Sequence, residues 1–81
     1  NNLLIEKNDK LLYIDGFRRL FKRAKKIRGF LKIVYNKNLE DISFLDGLES
    51  VYSSLYLDHN NLKSLDGLQK LKFVGASFSI S

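Results

Sequence analysis

The chain has 81 residues, 44% of them hydrophobic, with Lys+Arg 14 against Asp+Glu 9 and a formal net charge of +5. That length holds one domain at most. The absence of cysteine excludes disulfide frameworks, thiolate metal sites and cysteine nucleophiles, and no apolar run reaches the length of roughly 18 residues that a membrane-spanning helix needs. No secretory signal pattern is present in these residues, and none of the seven asparagines stands in an N-x-Ser/Thr context. The charge is uneven. Residues 1–33 carry ten basic and three acidic side chains, whereas residues 34–81 carry four basic and six acidic ones.

In chain order, the first expected element is a short strand over Leu3-Leu4-Ile5, leading to Glu6-Lys7-Asn8. Leu11, Ile14, Phe17 and Leu20 follow at steps of three. Phe17, Leu20, Phe21, Ala24 and Ile27 then fall at helical spacing, which predicts an amphipathic helix over Phe17–Arg28. Asp15 is placed to cap its start, and basic residues suit its C-terminal end. Its polar positions are strongly basic: Arg18, Arg19, Lys22, Arg23, Lys25, Lys26 and Arg28. The expected core of this element is Phe17, Leu20, Phe21 and Ile27.

The strand phrase then returns as Leu31-Lys32-Ile33-Val34-Tyr35-Asn36, and again 24 residues later as Leu55-Tyr56-Leu57-Asp58-His59-Asn60. A truncated copy, Phe78-Ser79-Ile80-Ser81, ends the sequence. Between them, Leu39, Ile42, Leu45, Leu48 and Val51 step by threes, as do Leu62, Leu65, Leu68, Leu71 and Val74. L-x-L-x-x-N backed by period-three apolar residues marks a leucine-rich repeat, in which each period is one coil. The expected fold is an α/β leucine-rich-repeat-like solenoid of about three and a half coils, a single segment over residues 1–81 of a longer array. A short parallel β-sheet would form one face, with turns and one short amphipathic helix on the other. Asn8, Asn36 and Asn60 share a phase, which predicts a ladder of side-chain amides satisfying backbone groups at the strand exits. Asp-Gly recurs at Asp15-Gly16, Asp46-Gly47 and Asp66-Gly67 as the turn of the convex side.

The run Ile27-Arg28-Gly29-Phe30-Leu31-Lys32-Ile33, followed by Asn36, Leu39, Ile42, Leu45 and Leu48, resembles the receptor L-domain pattern of leucine-rich repeats. Val51–Leu57 and Val74–Ile80 occupy the same frame, so the resemblance covers roughly residues 27–80. Animal receptor members carry capping disulfides and this chain has no cysteine, so the resemblance is to a cysteine-free, non-animal type. It implies a protein-binding role and a cell-surface or extracellular location.

Two surfaces are candidates for function. Residues between the inward leucines project from the sheet: Lys32, Val34, Tyr56 and Asp58, extended by Leu4, Glu6, Phe30, Ser54, Ser79 and Ser81. An extended sheet of this kind is the usual binding face of a solenoid. The expectation is a non-catalytic protein-protein interaction or scaffold module, its partner another protein or the neighbouring coils of a longer chain. The alternative is a basic adaptor whose residues 18–28 bind an acidic partner, an anionic membrane surface or nucleic acid. Insertion of the helix into a groove-type partner such as calmodulin, and a plain solvated face, are the remaining readings. Base-specific DNA readout is disfavoured because the helix carries no Asn or Gln. The single histidine, His59, is expected at the surface where the strand ends. Nucleophile-elbow, phosphate-loop, zinc and dinucleotide signatures are missing from the sequence, so no enzyme activity and no cofactor are expected.

Overall fold

The computed structural model describes residues 2–8 and 18–81. Its main sheet has four parallel strands: β1 (Leu3–Glu6), β3 (Leu31–Val34), β5 (Leu55–Leu57) and β7 (Phe78–Ile80), in spatial order β1-β3-β5-β7. Each strand comes from one copy of the repeated phrase, and the register follows the repeat. Leu3 pairs with Leu31, Leu31 with Leu55, and Leu55 with Phe78; Leu4 pairs with Lys32, Lys32 with Tyr56, and Tyr56 with Ser79. Parallel pairing without slip follows from period two, because a one-residue shift would turn every leucine outward.

A second parallel sheet lies opposite, formed by β2 (Lys26–Ile27), β4 (Ser50–Val51) and β6 (Phe73–Val74). Ile27, Val51 and Val74 stand side by side in it. Between the sheets lie Leu31, Ile33, Leu55 and Leu57 from one side and Ile27 and Val51 from the other, all buried.

The steps of three have a hydrogen-bond cause. The N–H of Leu39 donates to the carbonyl of Asn36, Leu45 to Ile42, Leu48 to Leu45, Leu68 to Leu65 and Leu71 to Leu68, at 2.8–3.2 Å. Three residues per turn is the 3₁₀ period, and Ser43–Leu45 is one such turn. Residues three apart therefore face the same way, which sends Leu39, Ile42, Leu45 and Leu48 into the core.

Helix α1 is shorter than the sequence suggests. It spans Arg18–Ala24. Lys25 then takes φ 62°, and its carbonyl accepts the N–H groups of Glu49 and Ser50 from the next repeat. Tertiary pairing thus ends the helix and turns Lys26–Ile27 into a strand. Phe21 and Ile27 are core as expected, but Leu20 is 51% exposed and is not. The expected core residue Phe17 and the capping Asp15 lie outside the described residues.

Two features pin the helix. Phe21 packs against Phe44, which is fully buried, with ring centroids 6.3 Å apart. Gly47 lets the helix come close: a Cβ there would lie 2.6 Å from the Phe21 carbonyl oxygen and from Lys22 Cα. Gly67 has a similar role in the next repeat, at φ 115°, where a Cβ would collide with the carbonyl of Ile42. The Gly of Asp-Gly thus serves close approach between successive repeats at both positions, and a left-handed turn only at the second.

Candidate functional site

The strand exits set the geometry of the main face. Lys7, Tyr35 and His59 occupy one position in successive repeats, and all three take left-handed φ values of 58–59°. Side-chain-bearing residues avoid that region at a cost of about 1–2 kcal/mol each. The asparagine next in the chain holds each kink in place. Asn36, fully buried, donates from Nδ2 to the carbonyls of Ile5 and Val34 and to Oδ1 of Asn60, each at 3.1 Å. Its Oδ1 accepts the backbone N–H and the Nδ2 of Asn8, both at 3.0 Å. Asn60 in turn donates to the carbonyls of Ile33 and Leu57. The three asparagines form the expected ladder, which rigidifies the exit end of the face.

On the face itself, Lys32 stands between two aromatic rings. Its Nζ lies 5.5 Å from the Phe30 centroid and 5.3 Å from the Tyr56 centroid. The sheet register produces this, because Lys32 and Tyr56 are direct neighbours on β3 and β5. A cation over an aromatic face within about 6 Å is attracted by the ring quadrupole, by about 0.5–1 kcal/mol at exposed sites. Lys32 and Tyr56 are both partly exposed. Two residues further along the strands, Asp58 accepts a 2.7 Å hydrogen bond from the Ser79 hydroxyl and is also partly exposed. Beside it, the rings of Tyr35 and His59 stack at 4.4 Å, nearly parallel at 10°. Both residues are exposed.

Three of the four expected contact residues, Lys32, Tyr56 and Asp58, therefore share an accessible surface. Val34 does not. It is 8% exposed, flanked by Glu6 in register on one side and by the Asp58 turn, whose carbonyl accepts the Tyr35 N–H, on the other. Alternation alone places Val34 outward, whereas the structure buries it between this strand and this turn. The Tyr35–His59 stack lies beyond the expectations from sequence, although aromatic rings at one phase of successive repeats are a signal for it.

The basic residues do not form one helical face. Arg18, Arg19, Lys22 and Arg23 lie on α1, Lys25 at the corner, Lys26 on β2 and Arg28 in the turn beyond it. The last three belong to the backbone after the helix, contrary to expectation. Arg19, Lys22, Arg23, Lys25, Lys26 and Arg28 are all exposed. Of the apolar residues at helical spacing, Phe21 and Ile27 are buried in the core, Leu20 and Ala24 are exposed, and Phe17 lies outside the described residues.

Among the described residues, no group of three or more His, Asp and Glu is arranged to hold a metal ion, and no helix is long and apolar enough to cross a membrane. No protein-family model, no curated protein and no solved structure matches the chain.

Proposed function

We propose that this chain is a leucine-rich-repeat-like solenoid segment of the receptor L-domain kind, acting as a non-catalytic module that binds a protein partner on its four-stranded sheet. The observation that carries this reading is the Phe30–Lys32–Tyr56 bracket. Paired parallel strands present a large aromatic side chain, a cation between two rings and, two residues along, a carboxylate. Aromatic residues in rigid settings are the usual anchors of protein interfaces, because they bury much area for little lost rotamer freedom. Lys32 and Asp58 add opposite charges that select orientation. The inward leucines are occupied with the core, so the outward row is free for binding.

The second reading is a basic adaptor, favoured by the exposure of all six basic side chains described from Arg19 to Arg28. Its contacts would be to phosphates or carboxylates, without sequence readout. Affinity capture with three baits tests the two together: wild type, Lys32→Ala/Tyr56→Ala, and Arg19→Glu/Lys22→Glu/Arg23→Glu. The sheet reading expects a protein retained by the first and third baits and lost from the second. Loss from the third bait alone, or recovery of nucleic acid or anionic lipid in its place, overturns it in favour of the adaptor.

A further inference from the structure

The outward side of the second sheet carries two rows of residues. Ile27, Val51 and Val74 stand in register and belong to or pack against the core. Neighbours along an extended chain point to opposite sides, so the residues flanking these three face out. Lys26, Ser50 and Phe73 form one row, in direct register. Arg28, Tyr52 and Gly75 form the other, each one residue further on. The Tyr52 N–H donates to the Ile27 carbonyl and the Gly75 N–H to that of Val51, at 2.8 and 2.9 Å. Lys26, Arg28, Tyr52 and Phe73 are all exposed. Tyr52 is 43% exposed although it follows the middle strand, β4, with a repeat on either side. Its exposure is a property of the face and not of where the chain ends.

The Tyr52 and Phe73 rings meet edge to face, with centroids 5.9 Å apart and planes at 82°. In such a pair the ring that presents its edge keeps both of its own faces out of the contact. With Ser50 the two rings line an open depression of about 490 Å³. Gly75 adds no side chain over this corner; a Cβ there would lie 3.3 Å from the Phe73 ring and collide with the Tyr52 carbonyl. Lys26 is the register neighbour of Ser50, and Arg28 holds the same relation to Tyr52. Both cations therefore stand at the β2 border of the depression. Lys25 and Lys72 precede Lys26 and Phe73 and are exposed. Glu49, the acidic residue before Ser50, is paired with Lys72 at 3.8 Å.

We infer that this face binds single-stranded nucleic acid, with a base stacked in the Tyr52–Phe73 corner and the adjoining phosphates on Lys26 and Arg28. The rings call for a flat π-system and the cations for an anion on the same ligand. One or two strand widths separate them, about 5–10 Å, a span that a base and its own phosphate cover. An acidic peptide matches the charge but leaves the corner open, and a lipid surface is met by protruding apolar groups rather than by a depression. A duplex hides its base faces in the stack. Aromatic side chains beside a positive track are how proteins hold single strands without reading sequence. The charge of this site rests on the adaptor reading above, and the stacking goes beyond it. The main sheet lies on the opposite side, so the protein-binding reading stands separately.

The probe is a fluorescein-labelled single-stranded oligonucleotide of about 12 nucleotides, titrated into the 81-residue chain at low salt. Anisotropy gives the affinity, and proton spectra with unlabelled oligonucleotide follow the Tyr52 and Phe73 ring signals. The expected result is saturable binding with upfield ring shifts at both residues. Tyr52→Ala and Phe73→Ala should each weaken binding about fivefold or more, and Tyr52→Phe should retain it. Lys26→Glu/Arg28→Glu should weaken it and flatten its salt dependence. The ring shifts are read on the wild type, so the result stands even if a variant disturbs the fold. Binding that is weakened by Lys26→Glu/Arg28→Glu but indifferent to both alanine variants, with no ring shift, overturns the stacking site and leaves the adaptor reading in place. Equal affinity for the matching duplex overturns it too. Absence of binding at low salt overturns both. Tighter binding of poly-glutamate or of phosphatidylserine vesicles, with the same dependence on Tyr52 and Phe73, overturns the nucleic-acid assignment and gives the face to that partner.

Discussion

Asn36 and Asn60 are joined twice: the backbone N–H and the side-chain Nδ2 of Asn36 both donate to Oδ1 of Asn60, at 3.1 Å. One amide oxygen thereby terminates two donors of the preceding repeat, while Nδ2 of Asn60 returns to the carbonyls of Ile33 and Leu57. The kinked strand exit is buried away from water at Asn36 and needs such partners. Replacing Asn36 with Ala would remove its donors to the carbonyls of Ile5 and Val34 and to Oδ1 of Asn60, and the acceptor of the Asn8 N–H.

The first prediction rests on the order of burial along the ladder. Asn36→Ala is expected to cost about 2–3 kcal/mol, because unsatisfied buried polar groups are expensive. Asn60→Ala, only partly buried, should cost about 1–2 kcal/mol, and exposed Asn8 less than either. Urea midpoints at unchanged slope measure this. Equal midpoints for the Asn36 and Asn60 variants and the wild type would mean that water replaces the ladder without loss.

The second prediction separates two adjacent residues of α1. Phe21→Ala removes a buried ring from contact with Phe44 and should destabilise by about 3–5 kcal/mol. Leu20→Ala, at a half-exposed position, should stay within about 1 kcal/mol. Comparable losses at both positions would contradict the observed rotation of the helix.

A third concerns Gly47. An added methyl meets the helix backbone, which cannot yield as a side-chain tip can. Gly47→Ala should therefore cost about 1–3 kcal/mol by overpacking, and should reduce protection of the Phe21 amide in hydrogen exchange. Native stability would show that the helix does not rest on this glycine.

Lys25 gives a prediction of opposite sign. It ends the helix at φ 62°, the conformation that glycine adopts without a Cβ penalty at helix C-termini. Lys25→Gly should stabilise by roughly 0.5–1 kcal/mol. A lower thermal midpoint would mean that the lysine side chain makes a contribution larger than the strain it carries.

The main sheet and its register are legible in the sequence because period two and the recurring Asn each have one structural solution. The phases of Leu31, Leu55 and Phe78 are the register itself. The second sheet is less so. Its strands are two residues long and lie inside a period-three pattern that masks them. The signal for it is the β-branched residue four positions ahead of each main strand: Ile27, Val51 and Val74. The overlong helix has a different cause. Nothing local stops it at Ala24; the stop comes from Glu49 and Ser50, which claim the Lys25 carbonyl. Phe44 falls outside the steps of three, yet it is buried because the helix needs a partner for Phe21. Of the candidate face, the row of residues can be read from alternation, but the cation–aromatic bracket depends on side-chain reach between strands, and the burial of Val34 on the strand and turn that flank it.

The binding claim rests on Tyr56 and Lys32 rather than on the basic residues of the helix and its following corner. It is tested most directly by the affinity of a captured partner for three forms of the chain, measured from about 50 to about 500 mM salt. The sheet reading predicts that Tyr56→Ala weakens binding by about 2 kcal/mol or more. It also predicts that charge reversal at Arg19, Lys22 and Arg23 changes affinity little and that the salt slope is shallow. A steep salt slope, with sensitivity to the reversed charges and indifference to Tyr56→Ala, would contradict it.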